Sequence, residues 1–265
     1  MSQKSRPQPP AAGLLPWTLA ATSFLWPATV RENCAGLEGH VDEVCILFFE
    51  TGSSLSYTEE DLPPQLAELD LTYHLHLPLD LDWEAGPERV FSTVRQLIAK
   101  TSFLRPRCFV LHPPRDPDAL AELLRLWRAE GWEEELLYLE NIKGNNLVRL
   151  WPVIQSSRCR VCLDLGHLLE YEQEQLLELP GIQERVSMLH LYAPSGERHV
   201  SLSRLSLAGR DLLFSLLHRL SRDAVIVLEV FSWPEFQDSL DIFTTWIRKW
   251  EIGSRRSDSN SPVSQ

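Results

Sequence analysis

Residues 136–141 read LLYLEN, residues 161–167 VCLDLGH, residues 188–192 MLHLY and residues 225–230 VIVLEV. Each is a short apolar run with a His, Asp or Glu at or near its end. Unbroken apolar runs, as opposed to in-out alternation, mark strands covered on both faces, the environment of a parallel sheet. Working outward, the same form recurs at Leu19–Leu25, Glu43–Phe49, Leu71–Leu77 and Cys108–His112. With Leu136–Glu140, Val161–Asp164, Val186–Leu191 and Val225–Val230 these make eight expected strands. Helical patterns lie between them. Gly86 to Leu104 places Val90, Phe91, Val94, Leu97 and Ile98 at helical spacing. Pro117 to Trp127 opens with proline after Asp116, a capping residue followed by proline in the first turn. Leu205–Leu220 and Trp233–Trp250 repeat the helical spacing. Strand alternating with helix predicts parallel βαβ units, and eight units predict closure into a (β/α)8 TIM barrel. An open doubly wound sheet is the rival topology. No GxGxxG or Walker-type glycine loop supports a nucleotide-binding version of it.

The chain of 265 residues fits one such barrel, which needs about 250. We expect a disordered leader over residues 1–10, a single barrel domain over 11–252, and a disordered, Ser-rich polar tail over 253–265. With 25 Lys and Arg against 37 Asp and Glu, the formal charge is −12. Phosphate contacts need cations, so duplex DNA is not the expected partner. The five cysteines are an odd number in a long chain, which argues against a disulfide framework. Cys159 and Cys162 form a CxxC at the start of an expected strand. Residues three apart there face opposite sides, so both are read as small buried residues. The apolar stretch from Ala11 to Val30 is broken by Pro16 and Pro27, and no run reaches 18 apolar residues. Neither a signal peptide nor a membrane span is expected, and a cytoplasmic location is.

In a barrel of this kind the active site collects at the C-terminal ends of the strands. The polar residues expected there are Glu50, His76, His112, Glu140 with Asn141, Asp164 with His167, His190 and Glu229. The loop after the seventh expected strand adds Glu197, Arg198 and His199. His74 and His76 share a parity, so both can point inward; His76 lies nearer the strand end. Imidazole and carboxylate are the donors that hold zinc, manganese, iron or cobalt. Burying several carboxylates without compensating cations is costly, so the cluster implies bound divalent metal. Taken singly, each residue has a plainer reading as a hydrogen-bonded rim residue or a helix cap. Five successive strands ending in such residues outweigh it. Asn141 is expected to orient a ligand or the substrate. Glu50, Glu197 and Arg198 are candidates for substrate contact, Arg198 through a phosphate oxygen.

These residues resemble the xylose isomerase-like barrel superfamily, and within it the endonuclease IV branch (AP endonuclease family 2), over about residues 18 to 250. The resemblance implies a centre of up to three metals. His76, His112 and Glu140 would make the first site. Glu140 would bridge to a second with Asp164, His190 and Glu229. His167 and His199, with Glu197, would make a third. That branch has Asp-x-His where this chain has Glu197-Arg198-His199. Sugar isomerases and epimerases of the superfamily need one metal, whereas several metals suit phosphodiester cleavage. The segments WPATVRENC (26–34), VDEVCILFFET (41–51) and YHLHLPLDL (73–81) look like the cobamide-remodelling phosphodiesterases of the superfamily (CbiR). That likeness implies hydrolysis of the phosphoribosyl linkage in the nucleotide loop of a cobamide such as cobalamin. Two or three divalent ions per chain are expected, with Glu140 and Glu229 as catalytic carboxylates. The alternatives are a sugar isomerase or epimerase moving protons between Glu140 and Glu229, an AP endonuclease, and a non-catalytic corrinoid- or metal-binding protein.

Overall fold

A computed structural model describes residues 15–196 and 198–259. Among them the strands are, in chain order, β1 (Thr18–Thr22), β2 (Glu43–Leu47), β3 (Thr72–His76), β4 (Phe109–Leu111), β5 (Leu137–Glu140), β6 (Arg160–Asp164), β7 (Val186–Leu191), β8 (Ala193–Ser195), β9 (Arg198–Val200) and β10 (Val225–Leu228). Eight of them close a parallel barrel in the order β1-β10-β7-β6-β5-β4-β3-β2. All eight expected strands are present, each within a few residues of its expected ends. The open sheet is excluded, because β1 pairs with both β2 and β10. β8 and β9 form a separate antiparallel hairpin above the barrel end of β7.

Side-chain parity sorts the strands into two cores. Leu19, Val44, Leu75, Leu139, Leu163 and Ile226 point outward and join the large core shared with the helices. Ala20, Cys108, Val110, Cys162, Met188 and Val227, from the alternate positions, fill the barrel interior. A two-residue side-chain period produces this split wherever both faces are buried. The CxxC divides in the same way: Cys159 joins the outer core and Cys162 the inner one. All five cysteines are buried thiols.

The floor of the barrel is polar. Glu43 Oε1 lies 2.6 Å from His74 Nδ1, and its other oxygen accepts from Arg107 Nη1 at 3.0 Å and Thr72 Oγ1 at 3.1 Å. Burial pushes this carboxyl up, but His74 and Arg107 overcome it and hold the pKa below the usual value. His74 is thereby committed to the floor, and His76, two residues on, reaches the mouth.

The helices follow their expected faces. Pro87–Thr101 buries Val90, Phe91, Val94 and Leu97. Pro117–Ala129 is capped by Asp116, whose side chain accepts from Asp118 N. After β1, Thr29 and Glu32 form a capping box on Val30–Leu37. Asn33 in that helix accepts from Leu25 N and Trp26 N, which fixes the β1 exit loop. The last helix runs from Trp233 to Ser259, beyond Trp250 and into the stretch expected to be a polar tail. The reason is local: Gly253 costs a formed helix only about 1 kcal/mol, and no proline follows until Pro262. The expected leader and the last six residues lie outside the described residues. No helix among the described residues is long and apolar enough to cross a membrane.

Candidate metal centre

The interior positions at the C-terminal strand ends carry His76 (β3), Glu140 (β5), Asp164 (β6) and His190 (β7), with His112 and Glu229 just beyond β4 and β10. The register aligns them: Leu47 pairs with His76, Glu140 with Cys162, and Asp164 with His190. His76, Glu140, Asp164, His190 and Glu229 are all buried. Among the described residues they fall into four overlapping donor groups whose ligand atoms lie within 4.8 Å of one another; two of these are His76, His112 and Glu140, and Glu140, Asp164, His190 and Glu229, and the others join His76 to His190 and Glu229, and Cys162 to Glu140 and His190. Glu140 belongs to both of the first two. Its Oε2 is 2.9 Å from His76 Nε2 and 3.4 Å from His112 Nε2; its Oε1 is 3.5 Å from His190 Nδ1.

The electrostatics of the centre call for a cation. Among the described residues, the ion-pair partners of Glu140, Asp164 and Glu229 are all imidazoles, with no Lys or Arg. Burial pushes Asp164 up to about 8; His167 opposes the rise, and the Glu229 and Glu140 charges add to it. Burial acts the same way on Glu229, but His190 outweighs it and leaves the carboxyl at about 2. In Glu140 the charges of His190 and His112 likewise overcome burial and hold the pKa well below the usual range. Burial lowers His190, but its contact with Cys162 and the charges of Glu229 and Glu140 raise it well above the ordinary imidazole value. Burial lowers His112, which favours the neutral form that donates a lone pair. Both ring nitrogens of His190, and Asp164 Oδ2, are buried without a hydrogen-bond partner. Orphaned polar atoms of this kind are rare in folded proteins and need an explanation. A divalent cation among Asp164, His190, Glu140 and Glu229 would satisfy Asp164 Oδ2 and His190 Nδ1, the ring nitrogen that faces the three carboxylates. The donor set of imidazole and carboxylate suits zinc, manganese, iron or cobalt.

The surrounding hydrogen bonds orient the donors. The ring atom Nδ1 bonds a backbone carbonyl in His76 (Leu77, 2.9 Å), His167 (Asn141, 2.8 Å) and His199 (Glu229, 2.9 Å). That fixes the tautomer with a lone pair on Nε2, as in metal-ligating histidines. Asp164 caps the helix Leu165–Glu170 by accepting from His167 N at 2.6 Å.

Asn141 is not among the residues that line the cavity above the donors. It is fully buried, and its amide clips β5 to β6. Nδ2 donates to Asp164 O and Gln173 Oε1, while Oδ1 accepts from Asp164 N at 2.8 Å. It orients the ligand strand instead. Glu50 is exposed at the start of the helix Thr51–Ser56. Arg198 is exposed on the β8–β9 hairpin. Glu197 lies outside the described residues.

The third site is less complete than the other two. His167 and His199 reach the same rim with ring centroids 6.4 Å apart. Among the described residues neither belongs to a donor group that could hold a metal. Tyr192, which the sequence reading did not single out, stacks on the His199 ring at 3.5 Å and 6°. Burial, then the charge of Asp164, pushes its phenol well above the usual range, so it stays a hydrogen-bond donor. It packs on Gly166, where a Cβ would sit 2.1 Å from the tyrosine ring. The D-L-G-H spacing contains that glycine, and only the tertiary contact reveals why.

Above the donors is a cavity of about 140 Å³, lined by His76, His112, Glu140, His167, His199 and Glu229 on one side and by Leu47, Phe49, Leu79 and Phe231 on the other.

No protein-family model and no curated protein matches the chain. Solved structures do. The 3-keto-D-glucoside 4-epimerase YcjR from E. coli is 14% identical with a TM-score of 0.61, covering 88% of this chain and 99% of that one. The IOLI protein with a bound zinc atom is 13% identical with a TM-score of 0.57, covering 89% and 97%. A xylose isomerase domain protein from Planctomyces limnophilus is 11% identical with a TM-score of 0.58, covering 88% and 97%. At these identities the likeness is one of fold, and the fold is the xylose isomerase-like TIM barrel.

Proposed function

We propose that the protein is a metal-dependent phosphodiesterase built on two divalent ions that share Glu140. The observation that supports this most is that Glu140 belongs both to the group with His76 and His112 and to the group with Asp164, His190 and Glu229. A proton-moving isomerase needs only the quartet Glu140, Asp164, His190 and Glu229. The additional pair His76 and His112 gives Glu140 a second set of partners, with His76 Nε2 only 2.9 Å away. When bound, such ions supply Lewis acidity to a phosphoryl group and lower the pKa of water.

The chain's own residues do the rest. His112 and His199 lie at the cavity wall where a phosphoryl oxygen would arrive. Burial lowers the pKa of both, so they are neutral near pH 7. Asn141 and the His76, His167 and His199 carbonyl bonds hold the donors in place. Of the centre's carboxylates, Glu140 and Glu229 line the cavity, which supports them as the catalytic pair. On the sequence likeness of residues 26–34, 41–51 and 73–81, we assign the substrate as the nucleotide-loop phosphodiester of a cobamide. A molecule of that size would insert only its phosphodiester arm. Metal-loaded protein incubated with cobalamin should release the lower-ligand riboside, with or without phosphate, in mass spectrometry. Absence of product across zinc, manganese, cobalt and iron would remove the cobamide assignment.

A second reading, a sugar isomerase or epimerase, is favoured by the small cavity and by the self-sufficient quartet. It requires one metal per chain and full activity in His112→Ala.

A further inference from the structure

The mouth of the barrel is divided into two halves. Four neighbouring strands, β10, β1, β2 and β3, each place an apolar side chain just beyond their C-terminal ends: Phe231, Phe24, Phe49 and Leu79. Three of these, Phe24, Leu79 and Phe231, are among the four exposed large hydrophobic side chains of the described residues, at 37%, 45% and 38% exposure. They are contiguous. Phe24 meets Phe49 edge-on at 4.9 Å, Phe49 meets Phe231 at 5.8 Å, and Phe231 lies 5.0 Å from the His199 ring. Phe49, Leu79 and Phe231 also line the cavity over the metal donors. A single exposed phenylalanine means little, but a connected apolar patch opening into a polar pocket marks a ligand surface.

We propose that this half of the mouth is a platform for a flat, uncharged aromatic group carried on the substrate's phosphodiester. This rests on the phosphodiesterase reading and names its substrate class. Three aromatic rings meeting at edge and tilt angles leave faces and edges on which another ring can pack. Among the described residues no Lys or Arg lines the cavity, so phosphoryl charge there would meet only the metal centre. A nucleic-acid strand, with a charge on every residue, would find no cations on the wall for its other phosphates. A phosphodiester arm that carries one aromatic group matches both halves.

The experiment is a calorimetric titration of protein loaded with zinc or manganese, using phenylphosphonate and methylphosphonate as non-reacting probes. The phenyl probe should bind about tenfold more tightly, a modest part of what burying a phenyl ring can contribute. Phe24→Ala, the ring farthest along the chain of contacts from His199, and separately Phe49→Ala should each reduce that preference severalfold. Phe24→Ala, which lies outside the cavity lining, should leave methylphosphonate affinity and metal content unchanged. Equal binding of the two probes overturns the platform and leaves the phosphodiesterase reading standing. A phenyl preference that survives both variants overturns the assignment to these rings. Binding of neither probe to metal-loaded protein removes the phosphodiesterase reading, and the platform with it.

Discussion

The two halves of the barrel mouth are built by the same rule with opposite chemistry. On β4 to β7 the positions at the strand ends carry His112, Glu140, Asp164 and His190, whose atoms converge inward within a few ångströms. On β10, β1 and β2 the corresponding rim carries Phe231, Phe24 and Phe49, which contact one another. The boundary strands β3 and β10 supply both kinds: His76 then Leu79, and Glu229 then Phe231. The polar half is buried and short of hydrogen-bond partners, while the apolar half is partly open to water. Each is unfavourable for an isolated protein, the first through desolvated charge and the second through exposed apolar surface. Their juxtaposition fits one ligand with a charged end and an apolar end.

Removing the residue shared by the group of His76 and His112 and by the quartet should break the polar half most completely. Glu140→Ala should lower turnover by about a thousandfold or more and reduce bound metal to below one per chain by elemental mass spectrometry. His112→Ala touches one group only. It should abolish phosphodiester cleavage in a single-turnover assay while the quartet keeps one ion. Asn141→Ala should act more gently, because it orients the ligand strand without touching metal. A loss of about 10–100-fold in metal affinity is expected, measured by chelator competition. If affinity is unchanged, the clip to Asp164 is not what positions the site.

The pH dependence follows from Asp164. In the metal-free site this group titrates at about 8, raised by burial, so it is mostly protonated at pH 7. A bound ion needs the carboxylate, so metal affinity should rise with pH up to about 8, and binding near pH 7 should release protons. Titration in buffers of different ionisation enthalpy measures that release. For the metal-free fold the sign is opposite. A raised acid binds more protons folded than unfolded, so its contribution to stability is lost as pH rises from the ordinary carboxyl range towards 8. The smallest effect expected is at Gly166. Gly166→Ala should destabilise the fold by about 1–3 kcal/mol in thermal unfolding, because the added Cβ would overlap the Tyr192 ring.

Strand positions were legible because all eight are apolar runs bounded by polar residues or turns, and burial on both faces imposes that pattern. The donors were legible because a barrel brings strand ends together, so residue type and position in the run were sufficient to select His76, Glu140, Asp164, His190 and Glu229. What depends on contacts between distant segments was not legible. Asn141 reads as a polar residue beside a ligand, and only its bonds to Asp164 and Gln173 show that its amide is already occupied. Tyr192 follows β7 like any rim aromatic, and its stacking on His199 needs the β8–β9 hairpin to fold back. Glu43 opens an expected strand, but nothing near it in sequence announces His74 and Arg107 as its partners. The last helix ran past Trp250 because helix propagation tolerates Gly253, a balance that polar composition alone does not reveal.

The most direct test of the two-metal account is the metal content of purified wild-type protein and of His112→Ala, with the positions of the ions located by anomalous diffraction. The account predicts at least two ions in the wild type, on either side of the Glu140 carboxylate. In the variant it predicts one fewer, with the ion among Glu140, Asp164, His190 and Glu229 retained. A single ion in that quartet, unchanged by the substitution, would contradict it and leave the one-metal isomerase reading in its place.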